Sequence, residues 1–372
     1  SLRPLEEKYT FSAVFELNNK AGIENQWFGR TVTYSDARFA YEEAQHIIET
    51  EDCVIPAEIA LSSKAYTADT AVKNAILKLD ELAKIMRSKR MNNGAISFDK
   101  AEVKFDLDKE NNPVGVFFKT SKDANKLIEE FMLLANKKVS EFIGKQSPQK
   151  TFIYRIHDEP DDQKLAGLQR IVSQFGHQLN FKSRETTTHS LNTLLKNVKG
   201  TKEQNLVDTL TIRCMSKAVY STKNIGHYGL AFNHYSHFTS PIRRYPDLLV
   251  HRMIKMLDSH SFELKNEWND KIEDALKLSN EKEIEALNAE REYIKIKQLR
   301  WLADRINSVF EGAITGVTNF GFFVGLKSSL AEGLVHMDTL ENDEYYYDED
   351  HYCIKGRSFK EEFRLGDRVH IK

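Results

Sequence analysis

The chain has 372 residues, of which 41% are hydrophobic and 10% aromatic, enough for a sizeable core spread over two or three domains. Charged residues make up 29%, yet the formal net charge is only −2. That balance excludes attraction to nucleic acid by overall charge, so any such binding has to come from a local cluster.

Taken in chain order, residues 9–34 predict a hairpin. TFSAVFEL alternates with period 2, NNKAG turns the chain and NQWFGRTVTY returns. Ser35–Asp36 offers an N-cap for a helix over ARFAYEEAQHIIE. A second helical pattern covers 67–90, and GAISF, EVKFDLD and VGVFF predict strands, the last two joined by a turn at DKENNPVG. Residues 122–145 predict a helix with Ala124, Leu127, Ile128, Phe131, Ala135, Val139 and Phe142 on one face. FIYRI is a strand and PDDQKLAGLQRIVSQFG a helix, entered near Pro160 and stopped at Gly176. A long polar helix is expected from Glu267 to Asn307. The texture then changes to short strands with glycine turns, FEGAITGVTNFGFFVGL, AEGLVHM and LGDRVHIK, which predict a small β-barrel. The run ENDEYYYDEDHY reads as a solvated loop of that barrel.

No stretch of about 18 apolar residues occurs, so no membrane span is expected. The start, SLRPLEEKYT, lacks the apolar centre of a secretory leader. Cys53, Cys214 and Cys353 are too dispersed for a zinc site or a disulfide framework and point to a reducing, cytoplasmic setting.

The stretch YSHFTSPIRRYPDLLVHR sets Arg243 and Arg244 between Pro241 and Pro246. SPIRRY reads as a single turn, and PDLLVHRMIKML as a helix with Pro246 at its first position and Leu249, Met253 and Leu257 on its buried face. Two cations at the positive end of a helix dipole are unfavourable by a few tenths of a kcal/mol each. A bound anion reverses that sign, with backbone N–H groups and guanidinium forks converging on a phosphate. Pairing of one arginine with a buried carboxylate accounts for the pattern equally well.

HFTSPIRRYPDLLVHR resembles the signature of the ribonuclease II/ribonuclease R family, hydrolytic 3′→5′ exoribonucleases. SDARFAYEEAQ, GAISF, NKLIEEFMLLANKKVSEF, RIHDEPDDQKLAGL and NAEREYIKIKQLRWL resemble further family segments in the same order. FEGAITGVTNFGFFVGL and EGLVHMDTL resemble an S1 RNA-binding domain. The resemblance implies an α+β fold: a partial RNB catalytic domain over 1–307, with a mixed sheet and packed helices, then an S1 OB-type β-barrel over 308–372, cut short at its C-terminal end.

The resemblance also implies roles. Arg243 matches the arginine on the scissile phosphate, and Glu290 a carboxylate supporting the reaction. Phe98 matches an aromatic that stacks on a base, while Tyr41 and Glu129 match residues near the terminal nucleotides. Arg244 is either structural or on a neighbouring phosphate. Each has a plainer reading: Phe98 and Tyr41 as core or rim residues, Glu129 and Glu130 as a solvated face, Glu290 as one charge in a charged helix. On the barrel, alternation assigns Phe320, Phe322 and His336 to an RNA-stacking face and Phe323 to the core.

The chemistry implied is hydrolysis of single-stranded RNA to nucleoside 5′-monophosphates, assisted by Mg²⁺. The family's aspartate cluster is expected upstream of this segment. Asp158, Asp161 and Asp162 are assigned to a helix start instead. No metal ligand is therefore expected in this chain, and by itself it is expected to bind single-stranded RNA without cleaving it. The alternative is a non-catalytic RNA-binding module. A protein-interaction scaffold is a third reading, and no protein partner is predicted.

Overall fold

The structure is a computed structural model that describes residues 2–96, 102–148, 150–201, 203–258, 266–349, 351–359 and 361–372. Phe98, and with it the end of the GAISF segment, lies outside the described residues.

The chain opens with the expected hairpin. Strands β1 (Glu7–Leu17) and β2 (Ile23–Tyr34) pair antiparallel, with Phe11 opposite Arg30 and Ala13 opposite Phe28. The Asn18 side chain closes the turn by accepting the N–H groups of Lys20 and Gly22. Helix α1 (Tyr41–Thr50) starts later than the Ser35–Asp36 signal predicted. Its start is set by Glu43, which accepts the N–H of Ala40 at its own helix entry. The same fully buried carboxylate accepts the Leu61 N–H and the Tyr66 hydroxyl, at 2.9 and 3.1 Å. A long-range anchor thus overrides a local cap.

Strands β3 (Val54–Ile55) and β4 (Tyr66–Thr67) form a short ladder. Helix α2 (Thr70–Asn92) is capped by Asp69, which accepts from the N–H groups of Ala71 and Val72. β5 (Glu102–Leu107) and β6 (Pro113–Lys119) form the hairpin expected around DKENNPVG. Helix α3 (Asp123–Gly144) buries Ala124, Leu127 and Val139 as expected, but also Leu133 and Ile143, and leaves Ile128 and Phe142 substantially exposed. The stripe is rotated because two polar residues, Glu130 and Asn136, occupy its buried side and bring their own partners. Apolar periodicity does not register such positions.

Next come β7 (Tyr154–Ile156), α4 (Asp162–Ser173), α5 (Arg184–Asn197), α6 (Gln204–Cys214) and β8 (Val219–Ser221), with β8 paired to β7. Asp161 caps α4 by accepting the Lys164 N–H at 3.0 Å, as the helix-start reading of HDEPDD required. Helix α7 (Tyr245–Asp258) begins one residue ahead of Pro246 and buries Leu249, Val250, Met253 and Ile254. Helix α8 (Asn266–Ala303) is the long polar helix.

Strands β9 (Phe310–Thr318), β10 (Gly321–Leu326), β11 (Glu332–His336), β12 (Tyr345–Asp348), β13 (Cys353–Gly356), β14 (Glu362–Arg364) and β15 (Arg368–Ile371) complete the chain. They form a sheet ordered β11-β10-β9-β15 and a second ordered β12-β13-β14. The expected loop ENDEYYYDEDHY contains β12. Tyr345 and Tyr347 point into the barrel core while Tyr346 stays exposed, a period-2 pattern hidden by the flanking acids.

Residues 1–96, 121–158 and 217–282 form one compact unit, and 97–120, 159–216 and 283–372 a second. The first is built on Val139, Ile143, Phe152, Ile153, Tyr154 and the buried face of α7. Within the second, Ile314, Phe322, Val324 and Ile354 form the barrel core. Among the described residues no helix is long and apolar enough to cross a membrane.

Candidate functional site

The segment from Tyr235 to Pro246 has no regular structure of its own until α7 begins. Its backbone groups are therefore satisfied by side chains from the helices around it. Asn136 of α3 accepts the N–H groups of Phe238 and Thr239, at 2.8 and 3.2 Å, and donates to the Tyr235 hydroxyl at 3.2 Å. His251 of α7 bonds the Phe238 carbonyl at 2.8 Å and stacks on its ring, with centroids 4.3 Å apart. Ser236 donates its hydroxyl to the Ile153 carbonyl at 2.7 Å. Asp247, 0% exposed, accepts the Ser240 N–H at 2.8 Å.

Asp247 also separates the two arginines. Its carboxylate takes Nε and Nη2 of Arg244, both at 2.9 Å, in a fork on a buried base. Arg244 is thus the arginine paired with a buried carboxylate. Arg243 is exposed, and among the described residues its side chain makes one hydrogen bond, to Ser240 Oγ at 3.3 Å, and no ion pair. Two adjacent arginines with the same local signals have opposite fates. One neutralises the first turn of α7, and the other is presented to solvent on a pinned loop.

Behind the loop lies an aromatic layer. Tyr220 bonds His237 Nδ1 at 2.8 Å, the Arg155 guanidinium sits 4.5 Å from the Tyr220 ring centre, and Tyr235 lies between His227 and His237. Burial, then the nearby charges of Arg244 and Arg155, pushes the His237 imidazole down to about 2. Burial, then His157 and Arg155, pushes His227 down to about 3. Both rings are neutral near pH 7 and add no charge to that of Arg243.

Tyr41, 44% exposed, is the first residue of α1. Glu129 on α3 is exposed and sits 3.5 Å from Arg90, while its neighbour Glu130 is 4% exposed and forms a buried ion pair with the same arginine. Glu129 and Glu130 therefore do not share a solvated face. Tyr41, Glu129, Arg243 and Arg244 belong to the first compact unit. Glu290 lies on an exposed face of α8 in the second.

A family model described as "RNB domain" matches residues 1–260. The chain belongs to the RNB family. A second model, "S1 RNA binding domain", matches residues 303–372. The chain is similar to ribonuclease R of Aquifex aeolicus, 34% identical over 373 residues covering 100% of this chain and 51% of that protein. It is also similar to ribonuclease R 1 of Lactococcus lactis, 33% identical over 374 residues covering 100% of this chain and 44% of that protein. Among solved structures, Mycoplasma genitalium RNase R in complex with ribose-methylated single-stranded RNA superimposes with a TM-score of 0.87 at 25% identity. That match covers 100% of this chain and 56% of the other. The chain thus spans about half the length of the curated relatives it matches. Its fold is α+β, an RNB region followed by an S1 barrel.

In the S1 region the two faces of β10 are the reverse of those expected. Phe322 does not share a face with Phe320: it is 2% exposed, in the barrel core, stacked on Phe363 at 4.9 Å. Phe323, assigned to the core, is the half-buried one and lines a cavity. The strand starts only at Gly321, whose φ of +157° and closeness to the Val335 carbonyl, 2.2 Å from an added Cβ, exclude a side chain. Phe320 is therefore in the turn before the strand and outside its period. It is 44% exposed and lies parallel to His336, with centroids 6.3 Å apart.

The magnesium implied by the resemblance finds no ligand set here. Among the described residues no group of three or more His, Cys, Asp or Glu side chains is placed to hold a metal ion. Residues the sequence did not single out are Asn136, Asp247 and His251. Only Asp247 carried a signal, its three-residue spacing from Arg244 on a helix start.

Proposed function

We propose that this chain is part of a hydrolytic 3′→5′ exoribonuclease acting on single-stranded RNA and releasing nucleoside 5′-monophosphates. The observation that carries this reading is Arg243: an exposed guanidinium without an ion pair among the described residues, on a loop pinned by buried Asn136, Asp247 and half-buried His251. A donor fork fixed before the substrate arrives is suited to the charge that develops on a phosphate during hydrolysis, because little reorganisation remains to be done. Arg244, held by Asp247, acts here as the loop's internal clamp. Tyr41 and Glu129 serve the terminal nucleotides, Phe98 stacks on a base, and Glu290 supports the reaction. Phe320 with His336 forms the stacking face of the barrel, whose domain we place from residue 308 onward, with 1–307 as the catalytic portion. The free, dispersed cysteines fit a cytoplasmic enzyme.

The parent enzyme is expected to use Mg²⁺, with ligands contributed from outside this chain. None of the roles assigned here passes through the metal. The chain alone is expected to bind a 5′-labelled oligoribonucleotide with an affinity that falls steeply with salt, log K dropping about 0.7 per phosphate contact for each decade. With Mg²⁺ present the oligonucleotide stays intact; stepwise shortening by the isolated chain refutes the division of labour proposed here. A second reading is a non-catalytic RNA-binding module. A compact aspartate cluster ahead of this segment in the parent protein decides for the enzyme, and its lack decides for the module.

The barrel aromatics supply a contrast. Phe322→Ala is expected to cost about 3 kcal/mol of stability through the cavity it leaves. Phe320→Ala should hardly move the melting temperature and should weaken RNA binding by roughly 1–3 kcal/mol. Thermal melting and the fluorescence anisotropy of a labelled oligouridylate read the two effects separately.

A further inference from the structure

The second compact unit holds a cavity of about 520 Å³ between α4, α6 and the barrel, within the size range of small-molecule sites. One wall is apolar and comes from residues matched to the RNB model: Leu168 and Phe175 from α4 and the turn after it, and Leu210 from α6. The opposite wall is the ring of Phe323. Phe322 and Val324 on either side of it are buried in the barrel core, so strand alternation turns this side chain away from that core. The ring lies across Gly316, where an added Cβ would already stand 3.4 Å from it. The cavity also meets Lys164, Arg213, Arg364 and His351, the last two already paired with Glu362 and Asp348, and among the described residues no Asp or Glu lines it. In a chain of net charge −2 with 29% charged residues, a lining that bears cations and no carboxylate is selective for an anion.

A flat aromatic face opposite an apolar wall, with cations alongside, suits a ligand that is planar at one end and anionic at the other. We propose that this cavity binds a single nucleotide, its base between Phe323 and the Leu168–Leu210 wall and its phosphate on Lys164 and Arg213. The inference rests on the RNA-binding reading only for the choice of a nucleotide as ligand. It is a site distinct from the Arg243 loop, which lies in the first unit, and from the Phe320–His336 face. No linear motif marks it, because its walls come from separate RNB-matched and S1-matched segments.

Saturation-transfer NMR on the full chain, with 5′-AMP and with adenosine as probes, tests it. Saturable AMP binding is expected, with adenosine at least fivefold weaker because it lacks the phosphate. The double variant Lys164→Ala/Arg213→Ala should weaken AMP at least tenfold and bring it level with adenosine. Gly167→Phe fills the cavity from α4, where an added Cβ meets no atom within 4 Å, and should abolish binding of both probes. Circular dichroism melts confirm that each variant is folded. Absence of saturable AMP binding, or AMP binding unchanged in Gly167→Phe, overturns the proposal. Anisotropy of a labelled oligouridylate on the same samples reads RNA binding separately, so loss of the nucleotide site and failure of the RNA-binding reading are distinguishable.

Discussion

Arg243→Ala, made in the intact enzyme, is expected to lower the single-turnover rate on a 5′-labelled oligoribonucleotide by about 10²–10³-fold, the effect of removing one preorganised donor to a developing oxyanion. The equilibrium affinity for the same oligonucleotide should change by less than about threefold, because many other phosphate and base contacts remain. Arg244→Ala should behave differently although its neighbour is chemically identical. It strips the partner from the fully buried Asp247, which also holds the Ser240 N–H, and leaves an uncompensated buried carboxylate. A loss of about 3 kcal/mol in folding stability is expected, with the loop and Arg243 displaced as a consequence. Rates, affinities and urea midpoints of the two variants therefore form a pattern. If Arg243→Ala weakened binding as much as turnover, Arg243 would be a binding residue and its transition-state role would be wrong.

Acid should destabilise the first compact unit well before carboxylates begin to titrate. His227 and His237 are held down to about 3 and about 2, from an ordinary value of 6.5, so the folded chain keeps both rings neutral while the unfolded chain protonates them below pH 6.5. A folded value below the unfolded one means the contribution is complete above pH 6.5 and is lost progressively as pH falls toward the folded values. Two protons taken up on unfolding correspond to a slope that rises from about 1.4 at pH 6.5 toward about 3 kcal/mol per pH unit, or about 3 kcal/mol lost between pH 6.5 and 5. Burial likewise lowers His234 and His251, which strengthens the trend. Urea unfolding followed by circular dichroism at a series of pH values measures the slope. A midpoint constant over that window would show that the rings are hydrated in the folded protein and that the buried aromatic layer is not as described.

Much of the fold was legible because its signals are local. The hairpin of β1 and β2, the Asp161 cap, the SPIRRY turn and the short strands after Ser308 each rest on residues within a few positions of one another. The errors in the helices share one cause, a group satisfied from far away. The start of α1 is set by Glu43 bonding to Leu61 and Tyr66, and the face of α3 is rotated by Glu130 and Asn136, whose partners lie 40 to 103 residues away. On the barrel, Gly321 in an unusual conformation leaves Phe320 in the turn outside the strand's period, and β10 alternates with Phe322 and not Phe323 on the core side.

By itself the sequence determined the family and the order of its two regions, since a long linear signature carries those. Spacing left the pair degenerate between a phosphate and a buried carboxylate as partner, and the resemblance singled out Arg243 for the phosphate while leaving Arg244 open. Only the tertiary structure could show that Arg244 is the one paired with a buried carboxylate and that Arg243 is left exposed, because that depends on where Asp247 points and on Asn136 and His251 holding the loop from two helices. The nucleotide cavity is the extreme case: α4, α6 and β10 are remote in the chain, and packing alone brings Lys164, Arg213 and Phe323 around one space.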